Sequence, residues 1–184
     1  MPKFIALVLV FCLLVAPGLV RADQNDAALD GLFSQLQTTT QHSEAMAVEQ
    51  AIWAAWIRHG DGQVDGRMSM GIRAMSAGML KRSLKLFDQI VDIAPAFSEG
   101  WNKRATVHYL LGNFEASVHD IQKTLALEPR HFGALSGMGL IYSAIGRDEA
   151  ALKVWEKALS INPQMPGIKS RVEELRQKMK GEAT

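Results

Sequence analysis

Pro95, Pro129 and Pro163 stand 34 residues apart, and Gly78, Gly112 and Gly146 keep the same spacing, each 17 residues ahead of its proline. A fixed period of this length marks a chain built from stacked copies of one supersecondary unit, and it constrains the fold more than any local propensity does. Glycine accepts positive φ and so stops a helix. Proline lacks an N–H and disfavours helical backbone before it, so it ends the next one. Each window, 64–97, 98–131 and 132–165, therefore reads as two helices with a glycine turn between them and a proline turn behind them.

The side chains repeat in step. The fourth position of each window is Arg67, Trp101 or Leu135, and the seventh is Met70, Arg104 or Met138. The eighth, where a close helix crossing demands a small residue, is Gly71, Ala105 or Gly139, and the eleventh is Ala74, His108 or Tyr142. In the second helix Ser83, Ser117 or Ala151 is again small, followed by Phe87, Ile121 or Trp155 and then Ile90, Thr124 or Ala158. This order of large, small and proline positions resembles the tetratricopeptide repeat family. The resemblance implies an all-α solenoid of helical hairpins. Arg67, Arg104 and His108 depart from it, at positions that are usually apolar in the family. His108 reads as a satisfied core group rather than a base.

Flanking segments complete the organisation. In 23–63, Leu29, Leu32, Phe33 and Leu36 form one helical stripe, and Val48, Ile52, Trp53 and Trp56 form another. Gln37 and Glu49 occupy the small positions and Asp61 replaces the proline, which leaves two readings: a degenerate repeat or an N-terminal capping pair. In 166–184, Ile168, Val172, Leu175 and Met179 make one apolar stripe opposite a charged face, as expected of a helix covering the end of a stack.

Residues 1–22 read as a secretory signal peptide: Lys3, an apolar run from Phe4 to Ala16, Pro17-Gly18, and small residues at Val20 and Ala22, with cleavage after Ala22. The alternative is a retained membrane anchor, and the run from Phe4 to Val20 is broken by Pro17-Gly18. Cleavage removes Cys12, the only cysteine, so the exported chain has neither a disulfide nor a thiol ligand. A periplasmic location follows as an expectation. A role in envelope assembly follows only by analogy with exported members of the family.

Charge and motifs exclude several kinds of work. A net charge of +1 offers no surplus for neutralising phosphates, so nucleic acid is not an expected partner. His42, His59, His108, His119 and His131 lack metal-ligand spacing, and no nucleophile elbow, phosphate loop or dinucleotide fingerprint occurs, so neither an enzyme nor a cofactor is expected. Asp61-Gly62-Gln63-Val64-Asp65-Gly66 matches the opening of a calcium loop, but the closing bidentate glutamate is replaced by Ile72, and a turn explains the same residues. No metal site is assigned.

The resemblance implies that the first helix of each repeat lines a concave wall. On that basis the groove is expected to present Met68 and Ile72 from the first repeat, Asn102, Lys103, Thr106 and Tyr109 from the second, and Gly133, Ser136, Gly137 and Leu140 from the third. Gly133 and Gly137 lie on one helix face, and each costs roughly 1 kcal/mol against alanine in a helix interior. The sharper reading is that a ligand backbone comes close there; the plainer one is close approach by the preceding repeat or simple tolerance of glycine. Chaperone-binding members of the family hold a C-terminal carboxylate with lysine and asparagine from successive repeats. Only Asn102-Lys103 fits that pattern here, so such capture is not expected. Arg130-His131 with Lys103 and Arg104 reads either as a small basic patch or as a solvated turn. The functional expectation is a non-catalytic scaffold with a protein or peptide partner. Its rivals are a membrane-tethered assembly factor, with membrane contact only if the leader is retained, and a subunit of an envelope enzyme.

Overall fold

A computed structural model describes residues 27–182, so the expected leader lies outside the described residues. The described residues form nine helices and no strands. They are α1 (Ala27–Thr38), α2 (His42–Ile57), α3 (Gly62–Ser76), α4 (Leu80–Ile93), α5 (Ser98–Leu110), α6 (Phe114–Leu127), α7 (Phe132–Ala144), α8 (Asp148–Ile161) and α9 (Pro166–Glu182). Helices α3/α4, α5/α6 and α7/α8 are three stacked hairpins, each packed on the next. Gly78, Gly112 and Gly146 turn the chain inside them at φ of 72°, 77° and 73°, values that a side-chain-bearing residue adopts at a cost.

The small positions are where paired helices cross. A Cβ on Gly71 would sit 2.6 Å from the Phe87 ring, and one on Gly139 would enter the Trp155 indole. The Ser83 hydroxyl donates to the Gly71 carbonyl (2.9 Å) and the Ser117 hydroxyl to the Ala105 carbonyl (2.8 Å), locking the first two crossings. Ala151 has no hydroxyl to offer in the third, and there the Trp155 indole N–H donates to the Ser136 carbonyl instead (3.1 Å).

The polar departures also have structural reasons. Arg104 lies 4.8 Å from the Trp101 ring centre and forks onto Asp120 at 2.7 and 2.9 Å, with Asp88 at 3.1 Å, so it fastens neighbouring helices by charge rather than by apolar contact. Arg67 donates to the Gln63 carbonyl (3.1 Å) and to Gln89 (3.3 Å). His108 differs from expectation: it is half-buried, and its Nδ1 meets no hydrogen-bond partner among the described residues.

At the C-terminal end, Ile168, Val172 and Leu175 of α9 cover Trp155 and Ala151. Lys178 reaches Asp148 and Arg176 reaches Glu156, both at 2.6 Å.

The N-terminal hairpin sits differently from a repeat in series. Helix α2 does not lie alongside α3 as α4 lies alongside α5. Instead Leu29, Phe33, Leu36, Val48, Ile52 and Trp56 form a core that closes on Phe132, with Ile161 and Met165 at its edge. Asn162 donates to Glu49 (3.1 Å), Gln164 to the Thr39 carbonyl (3.2 Å) and Gln37 to the Ser160 carbonyl (3.4 Å). The hairpin thus folds back onto the turns that follow the second and third repeats. Its polar residues at the small positions, Gln37 and Glu49, are two of the groups that tie it there.

Candidate functional site

Between α5 and α7 a hollow of about 290 Å³ remains open to solvent beside the N-terminal hairpin. Asn102, Thr106, Tyr109 and Leu110 supply one side, Ser136, Gly137 and Leu140 the other, and Ile121 of α6 contributes to the lining. The lining is mostly apolar, a few polar groups are fixed among it, and no charged residue belongs to it. Gly137 keeps the space open: a Cβ there would meet only Ile121 Cδ1, at 3.7 Å.

The ten residues expected at the groove do not all meet there. Met68 is fully buried in a core cluster with Phe87, Phe97 and Val107, and Ile72 packs half-buried against it, so neither lines the hollow. Ile57 from the end of α2 packs against the same cluster. Gly133 borders the hollow, but its bare face is filled from the other side: a Cβ there would lie 2.5 Å from Trp53 Cη2. The missing side chain at Gly133 makes room for the protein's own tryptophan and not for a ligand. Lys103 sits at the margin, 5.2 Å above the Trp53 ring, with its ammonium 2.9 Å from Glu99.

Glu99 holds the second position of its window, a wall position in the repeat, yet it is wholly buried: it pairs with the Lys103 ammonium (2.9 Å) and accepts hydrogen bonds from His131 Nε2 (2.9 Å) and Asn102 Nδ2 (2.8 Å). His131, expected in a solvated turn or basic patch, is also wholly buried and stacks on Trp56 with centroids 4.1 Å apart and planes 10° from parallel. Its Nδ1 accepts the Ala134 N–H (3.1 Å) at the start of α7, so the ring proton is on Nε2 and points at Glu99. The basic patch does not form. Arg130 pairs with Glu128 and Asp30, Arg104 with Asp120 and Asp88, and Lys103 with Glu99.

Burial alone would push the Glu99 carboxyl up, but the Lys103 ammonium and the hydrogen bonds from His131 and Lys103 outweigh it and hold the group at about 2. A carboxyl lowered in the folded state from its ordinary 4.5 supplies stability that is complete above 4.5 and is lost as pH falls toward 2. Urea midpoints recorded from pH 7 down to pH 2 test this. The wild type is expected to lose stability steeply below pH 4.5, whereas Glu99→Gln starts less stable and shows a shallower acid limb. Equal limbs would mean that Glu99 is not ionised in its buried setting.

The calcium-like segment is occupied with its own backbone. Asp61 Oδ1 accepts the N–H groups of Gln63 (2.7 Å) and Val64 (3.2 Å), capping α3, and Asp65 accepts those of His59 (2.8 Å) and Gly60 (3.1 Å). Among the described residues no three His, Cys, Asp or Glu side chains gather as a metal site.

Comparison with known proteins places this geometry. A model described as tetratricopeptide repeat matches residues 133–165. A TPR repeat-containing protein of Rhizobium etli is 35% identical over 156 residues, spanning 85% of this chain and 76% of the relative. The first TPR of Spaghetti (RPAP3), solved bound to the HSP90 peptide SRMEEVD, superposes with a TM-score of 0.61 at 19% identity, covering 64% of this chain and 93% of that one. The Yersinia enterocolitica type III secretion chaperone SycD, solved with a peptide of the translocator YopD, gives a TM-score of 0.61 at 11% identity, covering 65% and 97%. These two likenesses concern the fold. Together with the period of 34, the glycine turns at positive φ and the small-residue crossings, the relationship to the Rhizobium protein shows that this chain belongs to the tetratricopeptide repeat family.

Proposed function

We propose that the protein is a non-catalytic, exported scaffold that holds a segment of another polypeptide in the hollow between α5 and α7. The observation that carries this reading is the hollow itself: the N-terminal hairpin covers Gly133 but stops short of Gly137, leaving an apolar recess with Asn102 and Thr106 at its edge. Peptides bound to the RPAP3 and SycD domains support a polypeptide as the occupant. The leader pattern of residues 1–22 supports export to the periplasm, and a task in envelope assembly is the family analogy that goes with it.

Gly137→Leu tests the site. The added Cβ meets only Ile121 Cδ1, at ordinary contact distance, and the rest of the leucine fills the recess, so the fold is expected to be retained while partner capture from envelope extract is lost. Capture undiminished by the substitution places the interaction elsewhere on the molecule. Export is tested by the intact mass of the protein recovered from the envelope fraction: cleavage after Ala22 predicts the absence of residues 1–22, and a full-length mass contradicts it.

A further inference from the structure

The polar atoms at the rim of the hollow are not free to turn either way. Asn102 Nδ2 donates to Glu99, which as a carboxylate only accepts, so the amide nitrogen is held inward and the side-chain carbonyl oxygen is the end left toward the hollow. One turn on, the Thr106 hydroxyl spends its proton on the Asn102 backbone carbonyl (2.9 Å), leaving its oxygen lone pairs outward. Two neighbouring groups thus offer acceptors on the same helix face. Lys103, the residue after Asn102, is turned onto Glu99, and Arg104 and Arg130 are bound to their own carboxylates. A carboxylate entering this hollow would face oxygen lone pairs and no available cation. An N–H group beside an apolar side chain would meet acceptors and an uncharged recess, so charge and hydrogen-bond complementarity select the second kind of occupant.

We propose that the hollow takes an uncharged, apolar stretch of peptide whose backbone N–H donates to the Asn102 side-chain carbonyl, and that Glu99 is the positioning residue that aims that carbonyl at the ligand. Lys103 and His131 hold Glu99 in place, and Trp56 stacked on His131 ties the arrangement to the N-terminal hairpin. The hairpin therefore sets the polarity of the groove as well as its length. This inference rests on the reading that the hollow is the peptide site.

The test uses the protein without its leader and two libraries of short peptides, one N-acetylated and C-amidated, the other with free C-terminal carboxylates. Selection is expected from the capped library, for uncharged sequences with an aromatic or branched aliphatic side chain. Methylating the backbone nitrogen at one position of a selected peptide should weaken binding to the wild type about tenfold, the loss of one hydrogen bond, and should matter little to Asn102→Ala. In Glu99→Gln the penalty should shrink as well, because a glutamine can accept or donate and lets the Asn102 amide turn over. Should Glu99→Gln fail to fold, Asn102→Ala carries the test, since it leaves Lys103 and His131 on Glu99. Selection of acidic C-terminal carboxylates, or a methylation penalty unchanged in Asn102→Ala, overturns the inference while peptide binding sensitive to Gly137→Leu still stands. Failure to select any peptide, or selection indifferent to Gly137→Leu, overturns the inference and the peptide site together.

Discussion

Trp56→Ala is expected to remove about 3–5 kcal/mol of stability, the range for truncating a buried tryptophan. Trp56 is wholly buried and meets four other rings: Phe33 at 5.9 Å, Trp53 at 5.3 Å, Phe132 at 5.1 Å and His131 at 4.1 Å. Phe33 and Trp53 belong to the hairpin, Phe132 to the start of the third repeat and His131 to the turn just before it. The cavity left by truncation therefore opens along the seam between the hairpin and the repeats. Domains of this size commonly hold about 5–15 kcal/mol, so the loss is a large share of the total. The three repeats keep their own crossings, and the expected consequence is local: α1 and α2 detach first and the Thr39–Gln41 link becomes open to protease while α3–α9 remain protected. Urea denaturation with limited proteolysis reads both effects. A loss below about 1 kcal/mol, on a scale where full truncation costs several times more, would show that the hairpin is not seated as described.

The second large effect separates two glycines on one helix. At Gly139 an added methyl enters the Trp155 indole, so Gly139→Ala must displace a buried ring, break its bond to the Ser136 carbonyl and loosen the face that α9 covers. Overpacking of this kind costs about 1–3 kcal/mol, and the accompanying hydrogen-bond loss puts this case at the upper end. At Gly137, two residues earlier, the same substitution meets only Ile121 at 3.7 Å and trades glycine for a better helix former, a gain of up to about 1 kcal/mol. Thermal unfolding of the two variants should therefore shift in opposite directions. A common sign would contradict the helix crossing, the open recess, or both.

The contrast between these glycines marks what the sequence could reveal. Gly139 was legible because its reason recurs every 34 residues: Gly71 and Ala105 stand in equivalent places, opposite Phe87 and Ile121. The turn glycines and closing prolines were legible on the same ground. Gly133 and Gly137 have no repeat equivalents, so their spacing alone could not separate a seat for Trp53 from an opening for a ligand. The structure seats Trp53 against Gly133 and leaves the face of Gly137 open. The Glu99–His131 pair is not legible in the sequence because it joins residues 32 apart, with Trp56 from far earlier in the chain stacked on the ring, a three-body contact that leaves no periodic trace. Met68 was placed on the wall by its position in the repeat. A wall position is exposed only where nothing lies across it, and Ile57 with Val107 and Phe97 lies against that end of the stack. Local periodicity thus determines each hairpin. Where the hairpin cap lands, and hence which part of the inner surface stays open, is a property of the assembled chain.

Photo-crosslinking with a library-selected peptide tests the open hollow most directly. Leu110 borders it and is 50% exposed, while Ile93 is 53% exposed and lies outside it, so benzoylphenylalanine at these two positions compares equal accessibility in different places. The account predicts crosslinks from position 110 that vanish in Gly137→Leu, and none from position 93. Crosslinks from position 93 alone, or from position 110 regardless of Gly137, would contradict it.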